Sequence, residues 1–514
     1  MVPPGPAPTA LAPDPPPAGD VPPGVDAPLA PAPEGSRRAA DVAAPPPPLP
    51  HGPRVVGPPA GPPTALGAER PGWAWAGLVE VDGRTVMWFE VGGRGEPRHR
   101  RDPVAEAEVV ERAIARGGEL GVPVLGVVES LAVDPQDIAG MATWGKVARQ
   151  ASIVSGSVPL LLAVTGHCHG GLATLFGLAD HVVMTADASA YVNGPAAVRS
   201  VTAVDVEPIA LGGASVHQSV TGLASLVAAD RDDAVVALAD LLAYLPSAWD
   251  APVPVVPTTD PSGRPSTRAA ATVPTDPRAS YDVRDVLDDI ADVDSVTEVW
   301  ADHASNLVTA YARFDGRPVA VVANQPRIRA GTLDIAASSK AARHVQAADA
   351  AGIPIVTLVD TPGFEPGKDL EWRGMIRHGA ELVYAYCAAT VPRVCVILRK
   401  SYGGAYIVMD SRDIGSDLVL AWPTAEIAVM GAPGAVAILN RREIAAADDP
   451  DATRQELEAA YQAQFCTPAV AAARGYVDEV IDPVATRAHL TAALARLAGK
   501  RPRLPERRHG NSPC

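Results

Sequence analysis

The stretch VPLLLAVTGHCHGG, Val158 to Gly171, has a counterpart of the same length later in the chain: VPRVCVILRKSYGG, Val391 to Gly404. Taken alone, the first copy invites a metal reading, because His167, Cys168 and His169 crowd into three positions. A zinc site needs three or four converging ligands, and no second His/Cys cluster stands elsewhere in the sequence to supply the rest. The second copy has neither His nor Cys before its glycines. Both copies share a strand-like apolar run, a polar turn, a glycine pair and a helix-like run. The common feature is therefore main-chain geometry. Glycines at a strand-to-helix turn let amide groups approach a ligand closely, and the helix behind them favours negative charge. An oxyanion hole can be built from main chain in this way. The plainer alternative, a tight turn serving packing alone, is weakened by duplication. Two such holes suit a reaction with two developing oxyanions, for example a thioester enolate and a urea oxygen.

The register of the repeat extends outward. Asp82-Gly83-Arg84 recurs as Asp315-Gly316-Arg317 at the offset that relates Val158 to Val391 and Gly170 to Gly403. GVPVLGVVES from Gly121 aligns with GIPIVTLVDT from Gly352 close to that register. Each Asp-Gly pair sits between β-rich runs, WAGLVEVDGRTVMWFEV and SNLVTAYARFDGRPVAVVAN, and predicts a hairpin turn. The chain thus reads as two copies of one α/β unit. Residues 1–68 are dominated by Pro, Ala and Gly without periodicity and are expected to be a disordered tail. The first domain is expected over 69–250, a Pro/Thr/Ser/Asp-rich linker over 251–279, the second domain over 280–500 and a basic tail over 501–514.

The 514 residues exceed one ordinary core, and 47% hydrophobic with only 4% aromatic content means cores built from Ala, Val, Leu and Ile. A formal charge of −16 argues against binding nucleic acid or an anionic membrane. Five cysteines without a CxxC pair fit a reducing compartment, no signal peptide is evident, and the longest apolar run is too short to cross a bilayer. A cytoplasmic location is expected.

At this point the sequence resembles a known family. NQP at Asn324, AGTLDIAASSKAARHVQAADA from Ala330, LVDTPGFEPG from Leu358, IRHGAELVYAYCAATVP from Ile376, RKSYGGAYIVM from Arg399, AWPTAEIAVMGAPGAV from Ala421 and the ending RRHGNSPC are similar to the carboxyltransferase (β) subunits of biotin-dependent acyl-CoA carboxylases, of the propionyl-CoA and acetyl-CoA type. The first half resembles them in GLADHVVMTADASAYVNGP, VRSVTA and LGGASVHQSVTGLASLVAADRDDAV. It departs at VGGRGEP from Val91, at ESLAVDP from Glu129 and at His167 and His169, where small residues are usual. The resemblance implies an α/β chain of two tandem crotonase-type (ββα-spiral) domains behind the Pro/Ala-rich tail. It implies a homohexamer, with the active site formed between the first domain of one subunit and the second domain of another. The implied partner is an α subunit carrying biotin carboxylase and biotin carrier functions, so that biotin arrives on the partner and acyl-CoA is the substrate.

Carried over by motif, the Gly170 and Gly171 amides would hold the acyl thioester oxyanion, and Gly403, Gly404 and Ala405 the biotin ureido oxygen, with no metal. His169, Tyr406 and Ile407 would border the acyl group. Ile407 stands where propionyl-specific relatives have Asp, but a plain helix-core isoleucine reads equally well. Asp360 could be catalytic, although an Asp before Thr-Pro-Gly more often serves a turn. Lys400 could act electrostatically beside the second pair or simply be solvated. Cys168 reads as a small buried filler. Other readings are a biotin-dependent decarboxylase or transcarboxylase acting on an unusual carboxylated substrate, a non-catalytic assembly subunit, and a crotonase-type hydratase or isomerase that would leave the biotin-side motifs without purpose.

Overall fold

A computed structural model of the chain describes residues 73–92, 101–131 and 138–500, together with residues 502, 504–506 and 508–513 of the terminal segment. The Pro/Ala-rich segment 1–68 and most of the two divergent loops, 93–100 and 132–137, lie outside the described residues.

Each half begins with the expected hairpin. β1 (Ala74–Val81) pairs antiparallel with β2 (Arg84–Val91) across Asp82 and Gly83, whose φ angles are +50° and +73°. Two consecutive left-handed residues are what a two-residue hairpin turn requires, which is why Asp-Gly stands there. Then follow β3 (Val124–Val128), β4 (Leu160–Val164), β5 (His167–His169), β6 (His181–Thr185), β7 (Ser189–Tyr191) and β8 (Leu226–Ala228). The second half holds β9 (Thr297–Val299), β10 (Leu307–Phe314), β11 (Arg317–Asn324), β12 (Ile355–Thr361), β13 (Arg393–Tyr402), β14 (Leu418–Ala421), β15 (Glu426–Ala428) and β16 (Glu479–Val480). Its hairpin turns at Asp315 and Gly316 with φ of +54° and +76°.

The two sheets repeat one topology. The first runs β1-β2-β3-β4-β6-β8, and the second runs β10-β11-β12-β13-β14-β16 with β9 added beside β10. Beyond each hairpin the pairings are parallel. The crossovers are helices: Pro103–Leu120 and Ile138–Val154 in the first half, Ile335–Ala350 and Met375–Ala388 in the second. Parallel strands covered on both faces are apolar throughout, and β3, β4 and β12 are buried at every position. Strand alternation divides them between layers. Leu125, Val127, Leu161 and Ala163 face a core shared with Tyr311, Val322 and Ile397 of the second half, while Val124, Val128, Leu160 and Leu162 face the first half's own helices.

The stretch 251–279, expected to be a linker, lies along the second half. The Val256 amide donates to the Gly316 carbonyl at 2.9 Å, and Ser266 is fully buried. Arg487, buried without exposure, ion-pairs with Asp260 at 3.3 Å and Asp292 at 2.6 Å. Its proline-rich composition hid this, because these contacts are polar and far apart in sequence.

The halves also meet through buried imidazoles. His181 pairs with the Ser225 hydroxyl and the Tyr311 hydroxyl, each at 3.0 Å. His344 meets the Ala310 carbonyl at 3.1 Å, and its other ring nitrogen has no partner. Burial first, with Arg343 adding to it, lowers His181 to about 3; burial, with Lys340 adding to it, lowers His344 to about 4. Both rings are therefore neutral in the folded chain and take protons only on unfolding. The unfolded state binds more protons from pH 6.5 downward, so stability falls as pH drops through that window. At pH 5.5 the two rings together are expected to cost about 3 kcal/mol. Denaturant titrations at pH 7.5 and 5.5 should show the loss, and His344→Gln should remove roughly half of it.

Candidate active site

The two glycine turns stand in equivalent places, each at the carboxyl end of its sheet. In the first half β5 pairs in parallel with β7, His167 opposite Ser189, Cys168 opposite Ala190 and His169 opposite Tyr191. In the second, the end of β13 pairs in parallel with β15, Lys400 opposite Glu426, Ser401 opposite Ile427 and Tyr402 opposite Ala428. The repeat thus persists to the level of single residue pairs beside the glycines.

Gly170 has φ +91°, and its amide donates to the Tyr191 carbonyl at 3.0 Å. This corrects the expectation that both amides of the pair are available, because the ladder to β7 holds one of them. Gly171 opens the 3-10 helix Gly171–Leu178, which no side chain caps. Its amide belongs to the first turn, where N–H groups have no acceptor within the helix.

In the second half Gly403 has φ +56°, and a Cβ on it would lie 3.0 Å from the Val429 carbonyl oxygen. The helix Gly403–Val408 follows, again with no side-chain cap. Gly404 is exposed and Ala405 buried. A Cβ on Gly404 would lie 3.2 Å from the Phe364 ring. Phe364, in the loop that follows β12, is a neighbour that sequence reasoning did not single out. Ile407 is 49% exposed, which rules out a plain core role in this chain. Tyr406 turns the other way: its ring packs against the shared core and its hydroxyl is buried without a partner. Burial raises that hydroxyl to about 12. This is an inward position and differs from the acyl contact expected of it.

His167, Cys168 and His169 lie on one strand, so the thiol faces opposite the two imidazoles. Cys168 is fully buried, and burial pushes its thiol up to about 12, as befits a filler and unlike a metal ligand. His167 Nδ1 meets the Ser189 hydroxyl at 2.9 Å. His169 is half-buried, its ring centre 6.2 Å from that of Tyr191. Among the described residues no three His, Cys, Asp or Glu side chains converge on a metal-sized space, and four cysteines, Cys168, Cys387, Cys395 and Cys466, are free.

Asp360 is neither exposed nor a turn cap. Its carboxylate accepts from Arg399 Nε at 2.9 Å and from the Lys400 amide at 3.1 Å, tying β12 to β13 just before the second glycine pair. Burial raises its pKa, and Arg399 opposes that rise. Lys400 Nζ donates to the Pro277 carbonyl, and burial lowers its pKa. Tyr402, in the position equivalent to His169, donates its hydroxyl to Glu426.

The family model for the carboxyl transferase domain matches residues 80–512. The methylmalonyl-CoA carboxyltransferase 12S subunit of Propionibacterium freudenreichii subsp. shermanii is 46% identical over 409 residues, 79% of this chain and 77% of that protein. The carboxyltransferase subunit of propionyl-CoA carboxylase from Haloferax mediterranei is 43% identical over 446 residues, 85% of each. A crystal structure of the transcarboxylase 12S hexamer, with methylmalonyl-coenzyme A and methylmalonic acid bound, superposes with a TM-score of 0.82 at 42% identity and covers 86% of this chain and 85% of that one. Among the described residues no helix is long and apolar enough to cross a membrane.

Proposed function

Because the chain belongs to the carboxyl transferase domain family, we propose that it is the carboxyltransferase component of a biotin-dependent acyl-CoA carboxylase. It would move a carboxyl group from carboxybiotin to the α-carbon of an acyl thioester. The observation that carries this reading is the duplicated, uncapped glycine turn, one per half, each presenting first-turn amides. We place the protein in the cytoplasm as a homohexamer, working with a partner α subunit that carries biotin carboxylase and the biotin carrier. The chain is divided accordingly, with 69–250 forming the acyl-CoA side and 280–500 the biotin side.

The second turn fits a ureido oxygen, because Gly404 is bare and exposed and the helix behind it has no side-chain cap. Gly403, Gly404 and Ala405 would hold that oxygen by main-chain donation. When bound, the group supplies the carboxyl and, once relieved of it, a ureido nitrogen able to take the α-proton. At the first turn the Gly171 amide would stabilise the thioester oxygen as it gains charge, with the Gly170 amide fixing the turn from behind. The two turns share no ionisable side chain, consistent with a proton transfer that needs no base from this chain.

His169 fills space beside the first pair that the family's small residue would leave open. It would favour a polar or carboxylated acyl group by donating one hydrogen bond, and Ile407 would border the alkyl part. His169→Ala is expected to shift the ratio of kcat/KM values between polar and simple alkyl thioesters about fivefold, the worth of one neutral hydrogen bond. An unchanged ratio with both rates near wild type would leave His169 no part in substrate choice. The similarity to a methylmalonyl-CoA carboxyltransferase favours a second reading, transcarboxylation with a carboxylated thioester as donor. Incubating the protein and a biotin carrier with acyl and carboxyacyl thioesters, and identifying which gains and which loses a carboxyl group, tests both.

A further inference from the structure

Each half contains a short π-helix whose first residue reaches back to the strand that registers the glycine turn. In the first half it is His217–Thr221. His217 Nε2 meets the Ala190 carbonyl at 2.7 Å, and Nδ1 meets the Thr221 hydroxyl at 2.8 Å. Bonding a carbonyl puts the proton on Nε2, so Nδ1 of the neutral ring accepts from Thr221. Ala190 is the middle residue of β7, and the next carbonyl, that of Tyr191, takes the Gly170 amide. Gly212 closes on the same place: a Cβ there would stand 2.2 Å from the Ala190 oxygen. In the second half the π-helix is Gln462–Cys466. Gln462 Nε2 donates to Glu426 Oε1 at 3.0 Å, and Glu426 Oε2 accepts from Tyr402, the residue before Gly403.

β5 and β7 are three residues each and pair in a sheet of their own. Two strands of that size do not hold their own geometry. A π-helix gives up regular helical bonding and often marks a functional site. Finding one in the equivalent place of both halves, each aimed at the support of a glycine turn, points to a shared task.

We propose that His217 and Gln462 are positioning residues, each bracing the support of its own glycine turn and so aiming that turn's free amides. The inference rests on the carboxyltransferase reading above and assigns His217 to the acyl half-reaction and Gln462 to the biotin half-reaction.

The test uses the full protein assembled with a biotin-carrying partner. Two rates are followed: carboxylation of the thioester, and loss of the carboxyl group from the carrier without thioester. His217→Ala is expected to lower kcat for carboxylation about tenfold or more, with KM nearly unchanged and the thioester-independent rate preserved. His217→Gln carries the donor that the second half uses and should recover most of the loss. Gln462→Ala should instead slow the thioester-independent rate. Wild-type kcat in His217→Ala, equal damage to both rates, or His217→Gln no better than Ala would each overturn the proposal. If His217→Ala does not assemble, His217→Gln is compared with the shorter His217→Asn. Gln active and Asn impaired supports the brace, and equal rates overturn it. A wild-type protein with neither activity would remove the carboxyltransferase reading, and the brace with it.

Discussion

Gly404→Val is expected to cut carboxyl transfer by about 10²- to 10³-fold, the loss typical of one oxyanion donor, or about 2.7–4 kcal/mol of barrier. The exposed Gly404 face is where the ureido oxygen would approach. A Cβ there already lies 3.2 Å from the Phe364 ring, so valine would crowd both the ring and the incoming group. The chain should still fold, because Gly404 is exposed and has no side chain in the core, while Ala405, Tyr406 and Val408 of the same helix keep their inward contacts. Circular dichroism and sizing of the assembled variant check this. Phe364 provides the control. If Gly404→Val with Phe364→Leu regains near wild-type turnover, the loss came from displacing Phe364. If the double variant stays inactive, the bare amide face is the cause. Normal turnover in Gly404→Val itself would make this turn structural only.

Asp360→Asn is expected to destabilise the protein by about 3–5 kcal/mol, because it leaves the Arg399 charge buried without its partner. The two side chains are 1% and 3% exposed. Arg399 also donates to the Asp276 and Ala279 carbonyls at 3.0 and 2.7 Å, so the guanidinium stays where it is when the carboxylate is neutralised. Removing both charges with Asp360→Asn and Arg399→Leu should return a substantial part of the loss, as replacing a whole buried pair usually does. Urea midpoints of the wild type and these two variants decide it. Unchanged stability in Asp360→Asn would mean that the pair does not hold β12 to β13, and the placement of the second turn would need another explanation.

Features repeated in the sequence were legible there. The Asp-Gly hairpins, the division into two copies of one α/β unit and the equivalence of the glycine turns all follow from local signals recurring at nearly one offset. They hold because turn chemistry and strand alternation act over a few residues. Contacts that join distant positions were not legible. Nothing near Asp360 announces Arg399, and the Thr-Pro-Gly that follows suggested a turn. The 251–279 stretch reads as a spacer because its ties to Arg487, Arg313 and Gly316 are single polar bonds from far along the chain. His217 and Gly212 stood in a quoted motif with no role until their common target, the Ala190 carbonyl, came into view. The commitment of the Gly170 amide to β7 could not be read at all, because a glycine pair looks the same whether its amides are free or paired.

The central claim is that the two turns serve the two ends of one carboxyl transfer. The most direct measurement charges a biotin-carrying partner with labelled carboxyl group, adds this protein and a panel of short acyl-CoA thioesters, and follows the label. The account predicts label on the α-carbon of a thioester, dependent on the protein and abolished by Gly404→Val. Thioester that is hydrated, isomerised or hydrolysed while the label never passes between carrier and thioester in either direction would contradict it.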